Sequence, residues 1–130
     1  MQSIYPDWKF APTDTVVANA MHGALLIGPR HKVGADTAGW LHALANFEIE
    51  LFCDGKLMDK GQALNVLEGP LSTIRYVMEL LARDPDNPPL KAGEIISTGT
   101  LTRALPVNPG EIWTTKLKGI ALESATLRFY

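Results

Sequence analysis

Thr98, Gly99 and Thr100 place two hydroxyls on either side of a residue without a Cβ. Such a cluster lets side-chain and backbone donors approach a small polar ligand closely. It follows the turn residues Lys91-Ala92-Gly93 and a short apolar run through Ile95 and Ile96. A run so brief and apolar predicts a core strand over residues 94–97. A strand that ends in donors holds them rigidly at the mouth of a pocket. A plain turn between two strands has the same composition. Glu48 and Glu50, two residues apart on a strand, point to one side and are placed to share a divalent cation. They also sit on the polar side of an alternating run, and charged residues are the normal occupants of a solvated sheet face. That second reading is preferred. His22, His31 and His42 lack metal-motif spacing. His22 stands where a polar segment meets an apolar run, His31 reads as a loop residue, and His42 reads as structural. Ser97 and Ser124 have no evident base partner, and there is no nucleophile elbow.

The elements that must position these groups follow from periodicity. Residues 1–13 carry Pro6 and Pro12 with Tyr5, Trp8 and Phe10, which predicts a looped segment pinned by aromatic burial. Thr13 or Asp14 is placed to cap a short helix over 14–21. Residues 22–28, His-Gly-Ala-Leu-Leu-Ile-Gly, read as a buried strand, and 29–39 as a polar loop. In 41–53, Leu41, Ala43, Ala45, Phe47, Ile49, Leu51 and Cys53 alternate with a more polar set, which predicts one long strand. Asp54-Gly55 suits a tight hairpin, with a return strand from Lys56 that Gly61 bends away. Residues 71–83 switch to helical spacing, with Leu71, Ile74, Val77, Met78 and Leu81 in one stripe and Glu79 four before Arg83. Residues 111–119 and 123–130 read as strands. Strands dominate around one main helix, so the fold class is α+β, rich in β.

The 130 residues suffice for one domain with a core. Apolar content of 46% and charged content of 20% argue against disorder. A net charge of −2 without a basic block excludes the usual nucleic-acid footprint. No run approaches a membrane span, and no signal-peptide pattern is visible. Cys53 is the sole cysteine, which excludes an internal disulfide and suits a reducing, cytoplasmic setting.

Several segments, in order, resemble the C-terminal half of the 2-keto-4-pentenoate hydratase and 2-oxohexenedioate decarboxylase group, in the fumarylacetoacetate hydrolase superfamily. They are Asp7-Trp8-Lys9-Phe10 with Thr13-Asp14-Thr15-Val16 and Asn19-Ala20; Gly61 through Gly69-Pro70-Leu71; Leu90-Lys91-Ala92-Gly93-Glu94 with Ser97-Thr98-Gly99-Thr100-Leu101; and Pro106-Val107, Pro109-Gly110-Glu111 and Leu127-Arg128-Phe129. The resemblance covers nearly the whole chain. It implies a rolled, mixed β-sheet with a pocket at one end. It also implies a lyase acting on small 2-keto or 2-hydroxydienoic acids of aromatic breakdown, with Mg²⁺ or Mn²⁺ as cofactor.

By the same resemblance, Thr98, Gly99 and Thr100 line the substrate pocket, and the segment containing Asn19 and His22 borders it. The family's metal-binding carboxylates lie before the Asp-Trp segment. Here Gln2-Ser3 stands in place of the family's Asp-Ser, and Met21 and His22 replace small or polar residues. Glu48 and Glu50 align with an outer hairpin strand. The resemblance therefore implies metal ligands outside this chain, and two readings follow. One is a lyase-family chain that uses carboxylates from elsewhere. The other is a non-catalytic module that binds a small carboxylic acid or oligomerises. Uncovered sheet surface predicts a homo-oligomer or a chain that supplies the missing half.

Overall fold

The computed structural model describes residues 4–130. Its elements are α1 (Pro12–Val17), α2 (Thr37–Asn46), β1 (Glu48–Cys53), β2 (Lys56–Gln62), α3 (Pro70–Leu81), β3 (Ile112–Lys118) and β4 (Thr126–Arg128). Single 3-10 turns lie at Pro6–Trp8, Asn19–Met21 and Ala63–Asn65. The strands form one antiparallel sheet in the order β2-β1-β3-β4, so the fold is α+β.

The long strand expected over 41–53 is half helix. Asp36 caps α2, its carboxylate accepting the Gly39 N–H at 3.0 Å. The Ala- and Leu-rich stretch that follows favours helix, and Leu and Ala fall on both parities of the apparent alternation. The chain changes at Phe47. Its N–H closes the last turn on Ala43 O at 3.0 Å, and its carbonyl accepts the Ala63 N–H at 2.9 Å. β1 starts at the next residue. The loop expected over 29–39 therefore ends at Asp36, and His42 lies on a helix rather than on a sheet face.

The hairpin is as the sequence indicates. Asp54 and Gly55 adopt φ of 48° and 79°, and Cys53 pairs with Lys56. Gly61 stays in β2 opposite Ile49 instead of bending away. In α1, Ala11 occupies the cap position, and Asp14 reaches back to accept the Ala11 N–H at 2.7 Å. Tyr5 and Phe10 are half-buried, 5.8 Å apart, whereas Trp8 is exposed, so the aromatic pinning is partial. In α3, Ile74, Val77 and Leu81 are half-buried while Leu71 and Met78 stay exposed. Glu79 pairs with Arg75 at 3.8 Å rather than with Arg83. The final strand shortens to three residues.

Residues 22–28 and 94–97 form no strand. Among the described residues, neither 23–33 nor 95–100 makes a backbone–backbone hydrogen bond. A strand exists only as part of a ladder, and these segments have no neighbour to pair with.

Among the described residues, the buried apolar side chains are Phe47, Ala63, Val66 and Trp113. Accessible surface totals 10007 Å². A folded monomer of 14.2 kDa exposes about 6,800 Å². The chain thus shows roughly 3,200 Å² more than a self-sufficient domain of its mass.

Candidate functional site

The Thr98–Thr100 segment begins at a turn. Gly93 takes φ 94°, the Glu94 N–H donates to Lys91 O at 3.2 Å, and the Lys91 N–H donates to the Glu94 carboxylate at 2.8 Å. The segment is then fixed from its far end. Asn65 Nδ2 donates to Leu101 O at 2.9 Å. The Arg103 N–H and Nε both donate to Asp59 Oδ2, at 2.8 and 3.2 Å. The Arg103 amide and guanidinium hold the Asp59 carboxyl below its ordinary range. At Gly61 a Cβ would strike the Leu101 carbonyl, so only glycine lets the segment lie against β2. A Cβ on Gly99 would sit 3.6 Å from a methyl of buried Val66.

Thr98 is half-buried, while Gly99 and Thr100 are exposed. Neither threonine hydroxyl bonds another described residue. The segment that carries them is anchored through Leu101 to Asn65 and through Arg103 to Asp59 on β2. The three residues line none of the cavities described here. A cavity of about 390 Å³ shares Gly61 and Asn65 with the clamp and is otherwise lined by Glu48, Ile49, Glu50, Lys60 and Gln62.

Asn19 opens a left-handed turn in which Asn19, Ala20 and Met21 have φ of 50°, 52° and 54°. The His22 N–H donates to Asn19 O at 3.0 Å, and both side chains are exposed. No hydrogen bond among the described residues joins them to Thr98–Thr100. The N-terminal segment does approach the loop after the site, where Trp8 shares a cavity of about 520 Å³ with Ala104, Leu105 and Pro106.

Glu50 is tied down. Its Oε1 lies 2.8 Å from both Lys60 Nζ and Lys118 Nζ. Hydrogen bonds from Lys118 and then Lys60 lower its pKa from 4.5 to about 2. Register explains the cluster in part: Glu50 faces Lys60 directly across β2, and Lys118, opposite Glu48 on β3, reaches it diagonally. Sequence reading missed these partners and Asp59–Arg103, because no local spacing marks contacts made across a sheet. His31 lies in a loop as expected, but its contacts were missed: its Nε2 lies 2.8 Å from Glu123 Oε2 and its ring is 5.9 Å from Trp40. At Cys53, burial followed by the nearby Glu111 and Asp54 charges pushes the thiol pKa up, which suits packing rather than nucleophilic work.

No protein-family model matches the chain. It is 29% identical over 125 residues to a 4-oxalocrotonate decarboxylase of Pseudomonas sp. (strain CF600), across 96% of this chain and 45% of that one. It is 28% identical over 116 residues to a 2-keto-4-pentenoate hydratase of Paraburkholderia xenovorans (strain LB400), across 88% and 40%. Among solved structures, the 4-oxalocrotonate decarboxylase from Pseudomonas putida G7, complexed with magnesium and adipate, superposes with a TM-score of 0.78 at 29% identity. That match covers 97% of this chain and 44% of the other. The chain is a relative of the decarboxylase–hydratase group. It spans less than half the length of these relatives.

The solved decarboxylase carries magnesium. Among the described residues of this relative, no three His, Cys, Asp or Glu side chains gather to hold a metal ion. The paired Glu48 and Glu50 do not serve, because the Glu50 charge is already met by two lysines. The described donor set does not fit a divalent cation. Gln2 and Ser3 lie outside the described residues.

Proposed function

We propose that this chain forms one wall of the pocket of a lyase-family protein acting on small 2-keto or 2-hydroxydienoic acids, of the hydratase or decarboxylase kind. The observation that carries the reading is the match, over nearly the whole chain, to a decarboxylase solved with a dicarboxylate. The clamped segment supports it chemically. The hydroxyls of Thr98 and Thr100 and the amide of Gly99 donate to the carboxylate of the acid, and Asn19 and His22 border the same ligand. Each hydrogen bond to a charged group contributes about 1.5–3 kcal/mol. The carboxylates and acid–base groups of turnover come from residues other than those described, and the present sheet is one part of a larger rolled sheet.

The test combines calorimetry with adipate and an assay of a 2-hydroxydienoate with Mg²⁺ or Mn²⁺ supplied. Adipate should bind, and replacing Thr98 and Thr100 together by valine should weaken it at least about tenfold. Binding unchanged by that replacement would refute the wall. Turnover of the 2-hydroxydienoate by the purified chain would exclude a carboxylate-binding module without turnover.

A further inference from the structure

Residues 95–100 make no backbone–backbone hydrogen bond among the described residues, so their place is set from their ends. The upstream end is a turn that closes on itself: the Glu94 N–H meets Lys91 O, and the Lys91 N–H meets the Glu94 carboxylate. Neither bond reaches another element. At Gly99 the chain passes over Val66, an apolar approach that sets no register. The downstream end is different. Arg103 makes three bonds to two neighbouring residues of β2. Its N–H and Nε donate to Asp59 Oδ2 at 2.8 and 3.2 Å, and its Nη2 donates to Met58 O at 3.4 Å.

β2 is shaped to receive this residue. Leu51 pairs with Asp59 and Phe52 with Leu57, so Met58 is the extra residue of a bulge. A bulge leaves its extra residue unpaired and re-aims the side chains beside it. Arg103 takes both acceptors at this point, the Met58 carbonyl and the Asp59 carboxylate. Asp59 and Gly61 are two apart on β2 and share a face, just as Leu101 and Arg103 are two apart on the segment. Leu101 meets Gly61 and Arg103 meets Asp59, so the segment runs antiparallel over that face in matched steps. Thr100 directly precedes Leu101, and Thr98 lies two positions further back. At about 3.6 Å per residue or less, Leu101 stays within roughly 4 Å of Thr100 and roughly 11 Å of Thr98 along the chain.

Stability alone does not account for the pair. The Arg103 side chain is 71% exposed and that of Asp59 19%. An ion pair so open to solvent adds little to the stability of a fold. A backbone N–H held by a carboxylate, by contrast, fixes the chain in place through a charge-assisted bond. We infer that Asp59 and Arg103 are positioning residues. They set where the Thr98 and Thr100 hydroxyls stand, and neither touches the ligand. The bearing of the pair on a ligand rests on the proposed function; its hold on the segment does not.

Backbone relaxation by NMR comes first. Asp59→Ala should lower the order parameters of residues 98–100 below about 0.6, most at Thr100, while β1 and β2 stay near about 0.85. Arg103→Ala, at an exposed side chain, keeps its N–H and should loosen the same residues less. It decides the question if Asp59→Ala does not fold. Arg75→Ala, which breaks another exposed pair on α3, should leave them unchanged. Calorimetry with adipate comes second. Asp59→Ala should weaken binding at least about tenfold, because a small misplacement of donors is costly. In a chain that already carries Thr98→Val and Thr100→Val, Asp59→Ala should cost nothing further, since both changes remove the same interaction. Five results would overturn the inference: residues 98–100 already mobile in the unmodified chain; their order unchanged in the variants; equal loosening of β1 and β2; the same loosening in Arg75→Ala; or adipate losses that multiply in the triple variant. If the unmodified chain does not bind adipate, the proposed function fails, and the order parameters alone decide the positioning pair.

Discussion

Residues 48–62 and residues 23–28 are comparably strand-like in sequence, and they end in opposite states. The first become β1 and β2, paired from Cys53–Lys56 to Glu48–Gln62 and braced by β3. The second stay without regular structure and expose Leu25, Leu26 and Ile27. Intrinsic preference is similar, and the difference is a partner within reach. A hairpin turn at Asp54-Gly55 delivers a neighbour after two residues. Nothing adjacent in the chain delivers one to Leu26.

The largest predicted effect tests that contrast. Phe47 is 6% exposed where α2 passes into β1, and Ala63 bonds its carbonyl. Phe47→Ala should cost about 3–5 kcal/mol, a large part of the about 5–15 kcal/mol that holds a typical domain. Leu26→Ala should change the stability of the isolated chain by no more than about 0.5 kcal/mol. Urea unfolding of both variants reads the two values. Comparable losses would mean that the 23–28 segment is as integral to the fold as the hairpin.

The same contrast explains what was legible in the sequence. The hairpin and α3 could be read because their signals are local, a two-residue turn and a 3.6-residue stripe, and the strand expected over 111–119 forms as β3. The break at Phe47 was hidden, since Leu and Ala alternate in helix and strand alike and only the Asp36 cap distinguishes them. The strands expected at 22–28 and 94–97 failed for a non-local reason, as a ladder needs a second strand that periodicity cannot supply. Thr98–Thr100 stood out by composition. The clamp that fixes its far end, from Asn65 and Asp59 to Leu101 and Arg103, joins residues at least 36 apart and left no trace in spacing.

Gly61 gives an intermediate effect and sharpens the comparison. It is the point where an unpaired segment does touch the sheet. A Cβ there would meet the Leu101 carbonyl, with Ile49 Cγ2 3.2 Å away on the other side. Backbone held by the Asn65 and Arg103 bonds cannot yield as a flexible side chain would. Gly61→Ala should therefore cost about 1–3 kcal/mol. It should also speed amide exchange at Arg103, whose N–H bonds Asp59. A loss of stability with Arg103 exchange unchanged would show that the segment does not depend on this approach.

The smallest effect lies on the charged face of the same sheet, where Glu50 sits between Lys60 and Lys118. The Glu50 pKa falls from 4.5 in the unfolded chain to about 2 in the fold. A depressed carboxyl stabilises the fold wherever it is charged in both states, hence above about pH 4.5, and that contribution is lost as pH falls through about 2. Both lysine side chains are more than half exposed, so solvent and salt screen the cluster. Glu50→Gln should lower the melting temperature slightly at pH 7. The gap from the unmodified chain should close between pH 4.5 and pH 2 and narrow in 1 M salt. Thermal unfolding across that range checks the sign. A gap that widened towards low pH would mean that the two lysines do not hold the carboxylate in solution, and that the paired region owes its order to the ladder and to Phe47 alone.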